Sequence, residues 1–380
     1  MPSAFADYGA PDSQGFCEPP SAVATEALRS RATIGVSLPQ RKQPLHQAGA
    51  NFLRVQELGA ANVHSGEMPL KRKESLRKGL QRISQTRLHS VLQIIVREGP
   101  TAESVHEARK IVESLRAILR LARGALSTEA RKERNQVLRD FAGSFSRQRD
   151  AAVTLGTFAK VYSASLDGKR EQAPKPQWAT RLQKSLKAEA HATLPAEYYQ
   201  DAVERLRRFN GQLLIFEDRA CQASSRSQSE DDWDAMVAEG LRKTYRQGRR
   251  LLREISAAAE PSDELCHELR KRVKDLGYQL ALHKKIEGVR PKLAKLGEVG
   301  DALGDARDLI LLRGFISRLP KKCHLSPADR ESYHCVLTSV DARRHQLYQH
   351  ALQVGRRVYR RGSKRFTRRM AKRWRQWKGS

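Results

Sequence analysis

From about residue 70 onward, apolar residues recur at intervals of three and four, the spacing that lines one face of a helix. Ala108, Ile111, Leu115, Ile118, Leu119 and Ala122 form one such stripe, and Leu269, Leu276 and Leu280 form another. The pattern predicts helices near 72–97, 101–126, 129–163 and 178–219, then near 232–257, 262–286, 290–318 and 326–360. Strand alternation and β-branched clusters are scarce, so a sheet is not expected. Turn-forming residues collect in GKREQAPKPQ (168–177), a loop, and in QASSRSQSEDD (222–232), which reads as a linker. The fold class expected is all-α, with one group of four helices over 68–221 and a second over 233–362. Residues 1–67 are rich in Ala, Gly, Pro, Ser and Gln without sustained periodicity, and read as a disordered or low-complexity segment. MPLKRKES, from Met68, has the look of an alternative start.

The polar positions show that the two groups are copies. PTAESVHEARK (100–110) and PSDELCHELRK (261–271) share Pro, Glu, His, Glu, Arg and Lys at a constant offset of 161, and Leu115 and Leu276 continue the register. In each copy Thr101 or Ser262 is placed to cap a helix, and acidic residues follow in its first turn.

Charge gives the repeat its chemistry. The 380-residue chain carries a formal net charge of +29, and residues 1–67 hold only five Lys/Arg against six Asp/Glu. The whole basic excess therefore follows Met68, which points to a polyanionic partner. His106, Arg109, Lys110 and Glu113 share one helix face opposite the apolar stripe, with Arg116 and Arg120 along its flank. In the second copy His267, Arg270, Lys271 and Lys274 take the same face, with Lys274 standing where the first has Glu113. LRKTYRQGRRLLR (241–253) adds Arg242, Tyr245, Arg249 and Arg250 on a preceding helix. Arg suits phosphate oxygens as a bidentate fork and Lys as a mobile point charge, so a line of such donors matches a linear phosphate polymer.

The duplicated His-x-x-Arg-Lys helix resembles the CHAD domain, a helical family named for its histidines. YRQGRRLL (245–252), SRQRDAAVTL (146–155) and LGDARDLILL (303–312) extend the likeness, which covers nearly all of residues 70–360. The resemblance implies two four-helix bundles related by a pseudo-twofold, a basic surface or cleft between them, and inorganic polyphosphate as ligand. It further implies that His106, Arg109, Lys110, His267, Arg270, Lys271 and Lys274 line that surface. The first copy lacks the adjacent arginines usual further along the motif, so the second half is expected to grip more strongly.

Other chemistries find no motif. There is no Glu-x-Glu-x-Lys strand, phosphate-binding Gly-rich loop, His-Glu-x-x-His or Gly-x-Ser-x-Gly, so neither catalysis nor a cofactor is expected. In CHLSPADRESYHC (323–335) the adjacent Cys-His pairs are poorly spaced for tetrahedral zinc. Five scattered cysteines suit reduced thiols, and no apolar run approaches a membrane span. The expected setting is cytoplasmic, with association to polyphosphate granules. Residues 363–380 are expected to form a basic tail, in a stretch where 355–380 hold twelve Lys/Arg and no acid. The alternative reading is a nucleic-acid-binding protein that uses the basic surface and this tail.

Overall fold

Helices begin where the sequence supplies caps. In the computed structural model, which describes residues 68–165, 175–192, 196–210, 230–319 and 325–379, Ser75 accepts from Lys78 N at the head of α1 (Leu76–Glu98). Thr101 accepts from Ser104 N at the head of α2 (Ala102–Leu121), and Ser262 accepts from Leu265 N at the head of α8 (Asp263–Ala281). Both repeat helices are thus capped by the residues their duplicated sequence offers. Between them lie α3 (Thr128–Ser144), α4 (Ser146–Ser165), α5 (Gln177–Ala190), α6 (Ala196–Asn210) and α7 (Glu230–Ala257). After them come α9 (Arg290–Ile316), α10 (Pro327–Val358) and α11 (Ser363–Gly379). Among the described residues there is no strand. The segment 1–67, the loop over 168–174, the linker over 222–229, and Cys17, Cys221, Cys323 and His324 lie outside the described residues.

Three expectations about elements need correction. The helix expected over 129–163 breaks at Phe145, where φ −109° and ψ 11° end α3 amid Gly143, Ser144 and Ser146, all poor helix formers. The helix expected over 178–219 is two, α5 and α6. The basic tail is the docked helix α11, whose Phe366, Thr367, Met370 and Trp374 are buried. Those residues recur at helical spacing, so one face of an otherwise cationic helix is apolar.

Two cores organise the helices. A smaller one joins the second half of α1 (Leu88, Val91, Ile95) to α2 (Ile111, Leu115), α3 (Leu138, Phe141) and α6 (Leu206). A larger one takes in the start of α1, the end of α2, α4, α5 and all of α7–α11. Although α4 and α5 fall in the first half of the sequence, they pack on α9 and α10. Trp178 of α5 is the anchor: its ring meets Phe158, Tyr162 and Tyr333 edge-on at 5.8–6.3 Å, and its Nε1 donates to Ser332 Oγ at 2.8 Å. The repeat helices α2 and α8 pack directly against each other. No helix among the described residues is long and apolar enough to cross a membrane.

Candidate functional site

The site is built at the contact of α2 with α8. Glu113 of α2 accepts from Lys274 Nζ and, at 3.4 Å, from Tyr278 Oη, both of α8. One turn on, Gln279 Nε2 donates to Ala117 O at 3.1 Å, a buried contact that pins one repeat helix to the other. The two basic rows run out from this point. His106 is exposed and His267 half-buried. Lys110 and Lys271 are exposed and pair with glutamates on their own helices, Lys110 with Glu107 at 3.4 Å and Lys271 with Glu268 at 2.6 Å.

The arginines of the two rows are held differently. Arg109 donates to Ala142 O, a carbonyl left without a helical partner by the break at Phe145. The second copy has no such break, because α9 runs through the corresponding stretch. There Arg270 lies along α9, with its Nε and Nη2 at 3.4 Å from where a Cβ on Gly304 would stand. Glycine in LGDARD thus leaves room for the guanidinium. Arg270 makes no hydrogen bond or ion pair among the described residues, and its Nε and His267 Nδ1 are buried without partners.

Two arginines that the sequence reading passed over complete the rows. Arg149, at the start of α4, faces His106 and Arg109, and Arg307 of α9 faces His267. Arg149 pairs with Asp150 at 3.1 Å, whereas Arg307 has no partner among the described residues. Asp308 lies where Arg149 and Arg270 both act on it, so it ties α4, α8 and α9 to one centre; burial nevertheless holds its carboxyl above the usual range. The signal for these residues was the Arg-Asp pair common to SRQRDAAVTL and LGDARDLILL.

Electrostatically the centre favours ionised Glu113. Burial pushes that carboxyl up, but Lys274, Arg270 and Arg109 outweigh it and hold it below its ordinary value. Both histidines are held below theirs. For His106 the causes are partial burial of the ring, then Lys110 and Arg149; for His267 they are burial, then Lys271 and Arg307. The imidazoles therefore sit neutral among cations at physiological pH.

The chain and its fold have counterparts among known proteins. The family model of the CHAD domain matches residues 81–317, from within α1 to the end of α9. The chain belongs to the CHAD domain family. The crystal structure of the CHAD domain from the plant Ricinus communis shares the fold, with TM-score 0.53 and 17% identity over 80% of this chain and 99% of that one. PptA from Streptomyces chartreusis is also similar, with TM-score 0.49 and 12% identity over 77% of this chain and 100% of that one. No curated protein matches the chain.

In this CHAD domain four of the residues expected on the binding surface, Arg242, Tyr245, Arg249 and Arg250 of α7, stand apart from the crossing, whereas Arg116 and Arg120 of α2 lie at it in contacts of their own. Arg116 Nε donates to Asn135 Oδ1 at 3.0 Å, and Arg120 Nη1 pairs with the buried Asp275 at 3.0 Å. Arg242 pairs with Glu239 at 2.6 Å, and Arg250 is exposed on α7. Tyr245 is fully buried: its ring stacks on Phe366 at 4.1 Å, and its hydroxyl donates to the carbonyls of Val358 and Arg361. Arg249 Nε donates to Tyr359 O at 3.2 Å. A Cβ on Gly248 would collide with the Tyr359 hydroxyl. YRQGRRLL is therefore the seat of the corner between α10 and α11; the buried Tyr245 is corrected from a ligand contact to a support of that corner, and half-buried Arg249 braces the same corner through its Nε. Both satisfy carbonyls that the end of α10 leaves open.

Among the described residues, no three His, Cys, Asp or Glu side chains are grouped to hold a metal ion. Cys266 is buried and Cys335 exposed.

Proposed function

We propose that this CHAD domain is a non-enzymatic binding module for inorganic polyphosphate, taken along the surface where α2 and α8 meet. The observation that carries the reading is a set of uncommitted donors at the centre of a duplicated basic row. Arg270 and Arg307 have no partner among the described residues, and Arg270 Nε and His267 Nδ1 are buried without one. Buried polar atoms left unpaired in a native protein call for a ligand or a water, and a guanidinium beside an imidazole suits phosphate oxygens. Lys110 and Lys271 are engaged only in exposed pairs within a helix, each worth at most about 1 kcal/mol, so a polyanion displaces Glu107 and Glu268 at little cost. The arrangement as a pair of related four-helix groups sharing one basic cleft belongs to this reading, as does a place in the cytoplasm at polyphosphate granules.

Titration of the full chain with long-chain polyphosphate at moderate salt tests it. Arg270→Gln with Arg307→Gln should weaken binding by about a hundredfold, two charge-assisted contacts at about 1.5 kcal/mol each. Unchanged affinity in the folded double variant rejects the site. Incubation with magnesium or manganese should release no orthophosphate, and sustained release would instead mark an enzyme.

A further inference from the structure

Among the described residues, a second run of unpaired cations lies away from the histidine rows. On α11, Lys364, Arg365, Arg368, Arg369, Lys372 and Arg375 are all exposed, and none of their side chains has an ion pair or hydrogen bond among the described residues. Along the α2–α8 crossing, by contrast, Lys110, Lys271 and Lys274 each meet a carboxylate. Like charges spaced four apart destabilise a helix, and cations near its N-terminus oppose its dipole. What holds α11 in place is its other face, where Phe366, Met370 and Trp374 are buried on the larger core and Trp374 Nε1 donates to Asp234 at 3.1–3.2 Å. The cationic crowding reaches the underlying helix. Lys292 Nζ of α9 lies 5.2 Å from the Phe366 centroid, and burial, then Arg361 and Lys295, lower its pKa to about 8.

We propose that α11 is a second anion surface, one that holds the phosphate backbone of double-stranded DNA without reading its sequence. The inference does not rest on polyphosphate binding at α2 and α8, and α11 lies beyond the residues matched by the family.

The arrangement of side chains selects this partner over other polyanions. Lys364, Arg368 and Lys372 form one exposed row at four-residue spacing, and Arg365 and Arg369 form a second, about 100° around the helix, which Arg373 continues half-buried against Gly288. Two parallel rows over a helix of roughly 25 Å fit two phosphate strands flanking a groove, whereas a single chain needs one row. Single-stranded nucleic acid is held by stacking on exposed aromatics, and here Phe366 and Trp374 face inward while Trp377, partly buried, packs on the same core and on Trp374. An anionic membrane takes up a helix by its apolar face, and that face is occupied by the core. The exposed cations offer phosphate contacts, which position a duplex but carry no sequence information.

The test uses the full chain and a fluorescent DNA duplex of about 30 base pairs, with anisotropy recorded across a salt series. Replacing Arg365, Arg368, Arg369 and Lys372 by Gln keeps good helix formers on an exposed face, and thermal unfolding confirms that the fold is retained. The expected result is a loss of roughly a hundredfold in duplex affinity and a salt slope shallower by about three to four. Long-chain polyphosphate affinity should change by less than about threefold, within the scatter of a lost distant charge. Arg270→Gln with Arg307→Gln should leave duplex binding intact, which separates failure here from failure of the polyphosphate site. Unchanged duplex affinity and slope in the α11 variant overturn the proposal. So does an equal loss for polyphosphate, which would make α11 part of that surface, and so does a single strand of equal length binding as tightly as the duplex.

Discussion

Lys274 of α8 ion-pairs with Glu113 of α2, and the two are the same position of the repeat, 161 residues apart. Two lysines there would repel, and so would two glutamates. One of each turns that clash into an ion pair, so this is a repeat position at which the two copies differ with a physical reason. The pair is part-buried, with side-chain exposures of 30% and 31%.

Restoring identity at that position should destabilise the domain. Glu113→Lys or Lys274→Glu alone should cost about 1–3 kcal/mol, between the values for exposed and buried pairs. The exchange of both should recover most of the loss. A double-mutant cycle by urea denaturation measures this, and additive single effects would show that the contact contributes nothing.

Acid should weaken the same contact. The Glu113 carboxyl is held below its ordinary value in the folded chain, despite its burial, by Lys274, Arg270 and Arg109. Its contribution is present above the unfolded value near 4.5 and is lost as pH falls through the lower folded value. Glu113→Gln should therefore flatten the pH dependence of stability below about pH 4.5, and an unaltered acid limb would contradict the assignment.

The two halves should contribute unequally to polyphosphate affinity, and the reason is one of prior commitment. Arg109 is engaged by Ala142 O and Arg149 by Asp150, whereas Arg270 and Arg307 are free among the described residues. Arg270→Gln should thus cost about tenfold in affinity and Arg109→Gln no more than about threefold, because only the first removes an available charge-assisted donor. Equal losses measured by calorimetry would refute the asymmetry.

These distinctions mark where the sequence stops being readable. Thr101 and Ser262 cap their helices as the text of the repeat predicts, because capping is local. The apolar stripes of α2 and α8 were equally plain, since periodicity names the buried face. Periodicity does not name the element that covers a face, so Tyr245 and Arg249 read as surface donors while they in fact hold the α10–α11 corner. In α11 Phe366, Met370 and Trp374 stand four apart among Lys and Arg, but that spacing alone does not say that the larger core receives them. The pairing of Glu113 with Lys274 depends on where two helices cross, which no spacing within one helix specifies.

Acidification should strengthen polyphosphate binding. His106 and His267 are held below the ordinary imidazole value by burial and then by neighbouring cations, so in the free protein protonation also opposes folding. Stability from this source is present above the unfolded value near 6.5 and declines as pH falls through the lower folded values. A bound polyanion reverses the sign by favouring the imidazolium. Affinity should rise between about pH 7.5 and 5.5, and proton resonances of both rings should titrate higher in the complex. His106→Gln with His267→Gln should flatten the profile, and a wild-type affinity independent of pH would exclude the histidines from the site.

The α10–α11 corner gives a test of stability separate from binding. Tyr245→Phe removes the hydroxyl that donates to the carbonyls of Val358 and Arg361 while keeping the ring stacked on Phe366. The expected cost is about 1 kcal/mol, rising toward 3–5 kcal/mol for Tyr245→Ala, which also empties the stack. Gly248→Ala drives a Cβ to 2.6 Å from Tyr359 Cζ, beneath any tolerable contact, and should cost about 1–3 kcal/mol through overpacking. Polyphosphate affinity should be unchanged in the two conservative variants, because neither residue reaches the α2–α8 surface. If Tyr245→Phe instead weakened polyphosphate tenfold at constant unfolding midpoint, the tyrosine would return to the binding surface and the corner would lose its structural explanation.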